Sequence, residues 1–236
     1  MSTLLLRLAA PLQSWGAQSR FGQRDTQRFP TKSGVVGLLA AALGRDRTQG
    51  VSDLDALVMG VRADQAGELL RDYHTAVPPR KLPYITNRYY LCDAVFLVGL
   101  EGEEPLLAQL AAALRKPAFP LFLGRRACPP SGRLLLGLRP GLSVQQALSQ
   151  EPWLASAWYR NRHHSLNGLQ VLLEVPPETP GAFFLRDAPV SFSQDYRQHG
   201  FRSLAVQTIP LAQIQRGGLP PGVDATQHDA FGDWGD

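Results

Sequence analysis

AVFLVGLEGEEPLLAQLAAALR, residues 94–115, sets the frame from which the rest of the chain can be read. Its first seven residues are a continuous apolar run, the pattern of a strand covered on both faces. From Glu104 the pattern becomes helical, with acids at the start and Arg115 and Lys116 at the end, as the helix dipole prefers. The same alternation stands upstream. Residues 3–10 read as a buried strand, and residues 31–44 as a helix with Thr31 or Ser33 as cap. That helix carries Val35, Leu38, Leu39, Ala42 and Leu43 at helical spacing, and Gly44 as its stop. A short helix over 53–58, a strand over 58–62 and a further strand near 120–123 complete the order. Two strand–helix–strand units in succession predict an α+β fold with a ferredoxin-like (RRM-like) N-terminal domain over residues 1–137.

Residues 77–90, VPPRKLPYITNRYY, hold three prolines and several aromatics and predict a projecting loop or hairpin between the two halves. Residues 11–30 are too long for a simple connector. After residue 139 the periodicity weakens, and strand candidates such as 168–175 alternate with Pro and Gly. Residues 138–218 therefore read as a small β-rich C-terminal region, and the acidic tail, 219–236, as disordered.

With 44% hydrophobic residues in 236, the chain can fill a core, which excludes a wholly disordered protein. Arg7 interrupts the N-terminal leucine run and no cleavage site follows, so a signal peptide is not expected; nor is a membrane span. Cys92 and Cys128 are too few for a disulfide framework or zinc site, which fits a cytoplasmic protein with reduced thiols. The tail holds Asp224, Asp229, Asp233 and Asp236 with no Lys or Arg. Residues 1–219 therefore carry a formal charge of +8, the chain's +4 less the tail's −4. Twenty-one arginines stand against three lysines; the guanidinium binds phosphate bidentately and stacks on bases, although GC-rich codon usage gives the same bias.

Three basic clusters carry the expected chemistry. Arg20, Arg24, Arg28 and Lys32 lead into the first helix, where an anion would meet side-chain charge and free N–H groups together. Gly34 and Gly37 there suit either close approach of a sugar-phosphate backbone or tight helix packing. A nucleotide-binding P-loop would need glycine at 26 and 31, where threonines stand. In the second cluster Arg80, Lys81 and Arg88 alternate with Tyr84, Tyr89 and Tyr90, a composition suited to unpaired bases and phosphates. Tyr89 and Tyr90, leading into a strand, read rather as packing on the sheet. The third cluster, residues 116–133, places Arg125 and Arg126 beside Gly124 in a turn, with four basic residues and no acid.

Catalytic signals are weaker. HExxH, GxSxG, paired-cysteine and magnesium-binding acidic patterns are missing, so neither metal nor cofactor is expected. His74, His163 and His164 leave open a metal-independent ribonuclease.

The blocks LRLAAPLQSWG (6–16), RFPTKSGVVGLLAAALG (28–44), LRDYHTA (70–76), YLCDAVF (90–96) and FLGRRACPP (122–130), with LRDAPVSF (185–192) further on, resemble the CasD family of CRISPR-associated proteins. This family is the Cascade subunit of type I-E systems, within the RAMP superfamily. The resemblance implies a ferredoxin-like domain with a thumb at about 77–91. It implies a non-catalytic, antiviral role: holding the 5′ handle of CRISPR RNA against the Cascade backbone subunit and the large PAM-reading subunit, with target DNA met indirectly. Cutting of precursor RNA belongs to CasE, whereas relatives in type I-C do cut. Mapped by motif, the expected RNA contacts are Arg28, Lys32, Ser33, Gly34, Arg88, Arg125 and Arg126.

Overall fold

The computed structural model describes residues 1–16, 23–77 and 82–214. The elements run β1 (Ser2–Ala9), β2 (Leu12–Gln13), β3 (Gln23–Arg24), α1 (Lys32–Ala42), α2 (Ser52–Asp55), β4 (Val58–Gln65), β5 (Glu68–Ala76) and β6 (Tyr84–Cys92). They continue β7 (Val95–Gly102), α3 (Glu104–Arg115), β8 (Leu135–Pro140), α4 (Val144–Gln150), α5 (Ala157–Arg162), β9 (Gly168–Glu174), β10 (Phe183–Ser191) and β11 (Gln198–Pro210), before a short 3-10 turn.

The two apolar runs occupy the middle of the main sheet. β1 pairs antiparallel with β7 on one side and β8 on the other, and β7 pairs antiparallel with β4. Because both faces of β1 and β7 are covered, alternation gives way to continuous apolar sequence. Leu4, Leu6, Leu8, Phe96, Val98 and Leu100 face α1 and α3. Leu5, Ala9, Val95 and Leu97 face α4 on the other side. Close approach of α4 depends on two strand glycines: a Cβ at Gly60 or Gly99 would lie 2.8 Å from a Val144 methyl. Thr31 caps α1, its hydroxyl accepting from the Gly34 N–H at 3.3 Å, and Gly44 leaves the helix with φ of +74°.

The full sheet has seven strands in the order β10-β11-β9-β4-β7-β1-β8, and every pairing in it is antiparallel. The fold is therefore mixed α and β, built mostly on antiparallel sheet. The four strands β4-β7-β1-β8, with α1 and α3 on one face, correspond to the two strand–helix–strand units read from the sequence. The strand expected near 120–123 is not formed; its place is taken by β8, twelve residues later, while Leu123 is buried in an irregular segment. The boundary placed at 137/138 falls inside β8, and β9 pairs directly with β4, so the later strands extend the first sheet. Residues 219–236 lie outside the described residues.

A second, smaller sheet is organised around β6. β5 runs antiparallel along one edge from Glu68↔Cys92 to Ala76↔Tyr84; the other edge is shared by β2 and β3. β5 and β6 pair as an antiparallel hairpin starting at residue 68, whereas the hairpin read from the sequence was placed from 77. LRDYHTA forms most of β5, whose side chains are mostly exposed. No described helix is long and apolar enough to cross a membrane.

Candidate nucleic-acid interface

The interface is assembled on Ser14 and Trp15, where the chain leaves β2. Trp15 is fully buried and its indole N–H donates to Gln13 Oε1 at 3.1 Å; Gln13 in turn donates to the Ala94 carbonyl at 2.7 Å. Its ring lies against α1 so closely that a Cβ at Gly34 would stand 2.8 Å from Trp15 Cε3. The Trp15 backbone then gathers the returning loop: its N–H donates to Thr26 Oγ1 and its carbonyl accepts from the Gln27 N–H, both at 2.8 Å. That return lays β3 parallel to β6, with Arg24 beside Arg88.

Ser14 recruits the other two segments. Its hydroxyl donates to the Tyr89 carbonyl at 3.1 Å, and its N–H donates to the Leu123 carbonyl at 3.2 Å. At the next residue, Gly124, φ is +84° and an added Cβ would sit 1.6 Å from the Ser14 carbonyl oxygen, so only glycine fits. The turn is closed by hydrogen bonds from the Cys128 N–H to the Arg125 carbonyl at 2.8 Å and from the Leu123 N–H to the Cys128 carbonyl at 2.7 Å. It presents Arg125, whose Nη2 donates to the Arg24 carbonyl at 2.8 Å and whose Cζ stands 4.5 Å from the centre of the Tyr90 ring. Arg24, Arg88 and Arg125, distant in sequence, thereby meet at one place. Arg126 follows in the turn and Arg28 one turn of chain after Arg24, both exposed.

Two guanidinium donors at this place are not met among the described residues. Arg88 Nε and Arg125 Nη1 are buried without a hydrogen-bond partner. Each such N–H costs about 1–3 kcal/mol when nothing accepts from it. Asp72, opposite Arg88 in the β5–β6 ladder, pairs with His74 instead, Oδ2 to Nε2 at 2.5 Å. The arrangement can accept an anion, with guanidinium donors already oriented and Tyr90, 5% exposed, serving as the surface beneath Arg125.

Other expected contacts are placed differently. Lys32 is 6% exposed, its ammonium 3.1 Å from Glu174 and 3.6 Å from Asp55. The anion at the start of α1 is the protein's own Asp187, which accepts from the Lys32 N–H at 2.8 Å. Asp187 is gripped by Arg202 through Nε at 2.6 Å and Nη2 at 2.8 Å, and Arg202 also donates to Glu174 at 2.9 Å. Burial alone would lower the Arg202 pKa, but hydrogen bonds and charge from Asp187 and Glu174 outweigh it and raise it. Lys32 is thus spent on holding β9 to α1 and is not a free cation. Ser33 is buried, and Gly34 serves the packing of Trp15, the second of the two readings offered for it. Arg20, Arg80 and Lys81 lie outside the described residues. His74 sits on the hairpin, whereas His163 stacks on Tyr159 at 4.1 Å beyond α5. No group of three or more His, Cys, Asp or Glu able to hold a metal occurs among the described residues.

Sequence reading did not find Ser14, Trp15 or the reason for Gly124. The signal present was the invasion of a polar loop by one tryptophan; its partners at 34 and 124 are visible only in three dimensions.

Residues 3–205 match the family model described as CRISPR-associated protein (Cas_Cas5). The chain is 38% identical over 169 residues to the CRISPR system Cascade subunit CasD of Escherichia coli (strain K12), covering 62% of this chain and 75% of that one. Among solved structures it is similar to a chain titled "Crystal structure of Cas protein", with 42% identity, a TM-score of 0.69 and coverage of 91% and 98%. It is also similar to a chain of a CRISPR RNA-guided surveillance complex, with 31% identity, a TM-score of 0.74 and coverage of 94% and 95%. With the fold matched along nearly its whole described length, the chain belongs to the CasD/Cas5 family of CRISPR-associated proteins.

Proposed function

We propose that this chain is a non-catalytic subunit of a type I-E Cascade surveillance complex in the cytoplasm. It binds the 5′ handle of CRISPR RNA and anchors the backbone subunit and the large PAM-reading subunit, so that target DNA is engaged through the complex. The observation that carries the reading is the meeting of Arg24, Arg88 and Arg125, distant in sequence, at one place on the surface. Family membership supports it. In the same reading β1-α1-β4-β7-α3-β8 is a ferredoxin-like unit and the β5–β6 hairpin is the thumb that meets the neighbouring backbone subunit.

The test is co-expression with the partner subunits and a CRISPR array. Wild-type chain should carry RNA of one defined 5′ end, and Arg88→Ala with Arg126→Ala should lose it. Each phosphate contact removed should flatten the dependence of log affinity on log salt by about 0.7 for single-stranded RNA. Retention of RNA with an unchanged salt slope would sink the proposal.

The Asp72–His74 pair on the hairpin supports one competing reading, a metal-independent endoribonuclease. Incubation with repeat RNA in EDTA separates the two. Specific cleavage abolished by His74→Ala would replace the non-catalytic reading.

A further inference from the structure

We propose that α5 and the segment leading into it form a second contact site, for single-stranded nucleic acid. Residues 152–173 contain no Asp or Glu, yet include Arg160, Arg162, His163, His164, Trp153, Trp158 and Tyr159. Arg160 and Arg162 occupy the last turn of α5, where the helix dipole favours cations. Neither side chain makes a hydrogen bond or ion pair among the described residues, so both guanidiniums keep their donors available in an acid-free stretch.

The aromatic residues form a short ladder with one open end. Tyr159 meets Trp153 edge-on at 6.5 Å and Trp158 edge-on at 5.6 Å, and His163 stacks on its ring at 4.1 Å. Trp158, at the outer end, is 54% exposed. The inner end is fixed. Trp153 Nε1 donates to the Asp64 carbonyl at 2.7 Å, the Leu154 N–H donates to the Asp64 carboxylate at 2.6 Å, and Ser156 Oγ donates to Gln65 Oε1 at 3.0 Å. Asp64 is itself held by the fully buried Arg62, which donates to it through Nε and Nη2 and to the carbonyls of Glu151 and Pro152 at 2.7 Å. A half-exposed tryptophan on so rigid a footing loses little freedom when something stacks on it. An exposed indole beside guanidiniums without protein acceptors matches an unpaired base with its phosphates.

Leu154 packs with Leu5, Leu97 and Leu148 on the α4 face of the sheet, opposite the α1 face that carries Trp15 and Tyr90. The two sites therefore grow from opposite layers. The second does not depend on the first being correct.

The experiment measures anisotropy of labelled 20-residue oligo-U and oligo-dT against the purified chain over a salt series. The variants are Trp158→Ala, Trp158→Phe, Arg160→Ala with Arg162→Ala, and, for the first site, Arg88→Ala with Arg126→Ala. Loss of one stacked base should weaken binding about 5- to 150-fold in Trp158→Ala, with Trp158→Phe retaining most of it. The double arginine variant should lower the salt slope by about 1.4. Circular dichroism confirms that each variant is folded, and oligo-U against oligo-dT decides whether RNA or DNA is the natural strand. Affinity unchanged in Trp158→Ala and slope unchanged in the Arg160/Arg162 variant, or loss confined to the Arg88/Arg126 variant, overturns the proposal. Neither result bears on whether the handle RNA co-purifies.

Discussion

Replacing Gly124 by alanine perturbs the joint through which three arginines are brought together. Two costs can be separated. The backbone there has φ of +84°, and a left-handed conformation costs a non-glycine residue about 1–2 kcal/mol. In addition the new methyl would fall 1.6 Å from the Ser14 carbonyl oxygen, a backbone atom that cannot swing away as a side chain can. Relief requires the 123–128 turn to move off Ser14, breaking the 3.2 Å bond from the Ser14 N–H to the Leu123 carbonyl, worth about 1 kcal/mol. Loosening the contacts around the buried Leu123 adds a similar amount, for a total of about 3–4 kcal/mol. For a chain of this size each kcal/mol moves the melting temperature by about 2–4 °C, so a drop on the order of 6–16 °C is expected. Gly141→Ala is the control, because φ is +69° there and nothing lies within 4 Å of the added Cβ. It should show the backbone cost alone, about 2–8 °C. Calorimetry on both variants, paired with RNA retention in the assembled complex, checks the reasoning. If Gly124→Ala melts with Gly141→Ala and keeps its RNA, the Ser14 contact neither restrains the turn nor aligns Arg125.

Lys32→Met takes the ammonium from Glu174 but leaves its Arg202 contact, which should cost about 1–3 kcal/mol in thermal unfolding while RNA bound per folded molecule stays unchanged. Arg125→Lys keeps the charge but forfeits the planar contact over Tyr90 and the reach to the Arg24 carbonyl, so it should lose RNA in pull-down nearly as far as Arg125→Ala. Burial, with Arg197 beside it, holds the His199 pKa below its ordinary 6.5. The unfolded chain then binds the proton more readily, so stability should fall as the pH drops below about 6.5 and be unaffected by this group above it. Denaturant titrations at pH 5.5 and 7.5 should show that part of the loss vanish in His199→Gln.

What was legible in the sequence was what repeats locally. Residues 94–115 declare a strand and a helix because burial on two faces and on one stripe leave different periodicities, and α3 begins and ends where the charges said it would. The hairpin strand β5 was not legible. GELLRDYHTA is exposed on both faces, so it has neither an apolar run nor an alternating one, and only its pairing with β6 makes it a strand. The misplaced strand at 120–123 has the converse cause: Phe122 and Leu123 are apolar because Leu123 plugs the core beside Trp15, not because they extend a ladder. The basic clusters were visible as composition, but which of their cations are free was not. Lys32 looked like a ligand until Asp187 and Glu174, more than 140 residues away, arrived beside it.

That distinction sorts the arginines by what burial demands. A guanidinium taken out of water must be given acceptors or it costs stability. Arg62 and Arg202 are buried, and each of their guanidinium nitrogens finds an acceptor in the same chain, from Asp64 and carbonyls for Arg62 and from Asp187 and Glu174 for Arg202. Arg126 and Arg162 are exposed and need none beyond water. Arg88 and Arg125 fall between: each is half-buried and each has one nitrogen sealed from solvent without an acceptor. Codon usage can supply arginines to a surface, but it cannot account for two of them held by Ser14, Tyr90 and the Arg24 carbonyl in positions where the chain itself leaves donors unmet. In the proposed reading, a chain of phosphates meets the solvent-facing guanidinium donors of Arg24, Arg88 and Arg125 together, where a single small anion would satisfy one at a time.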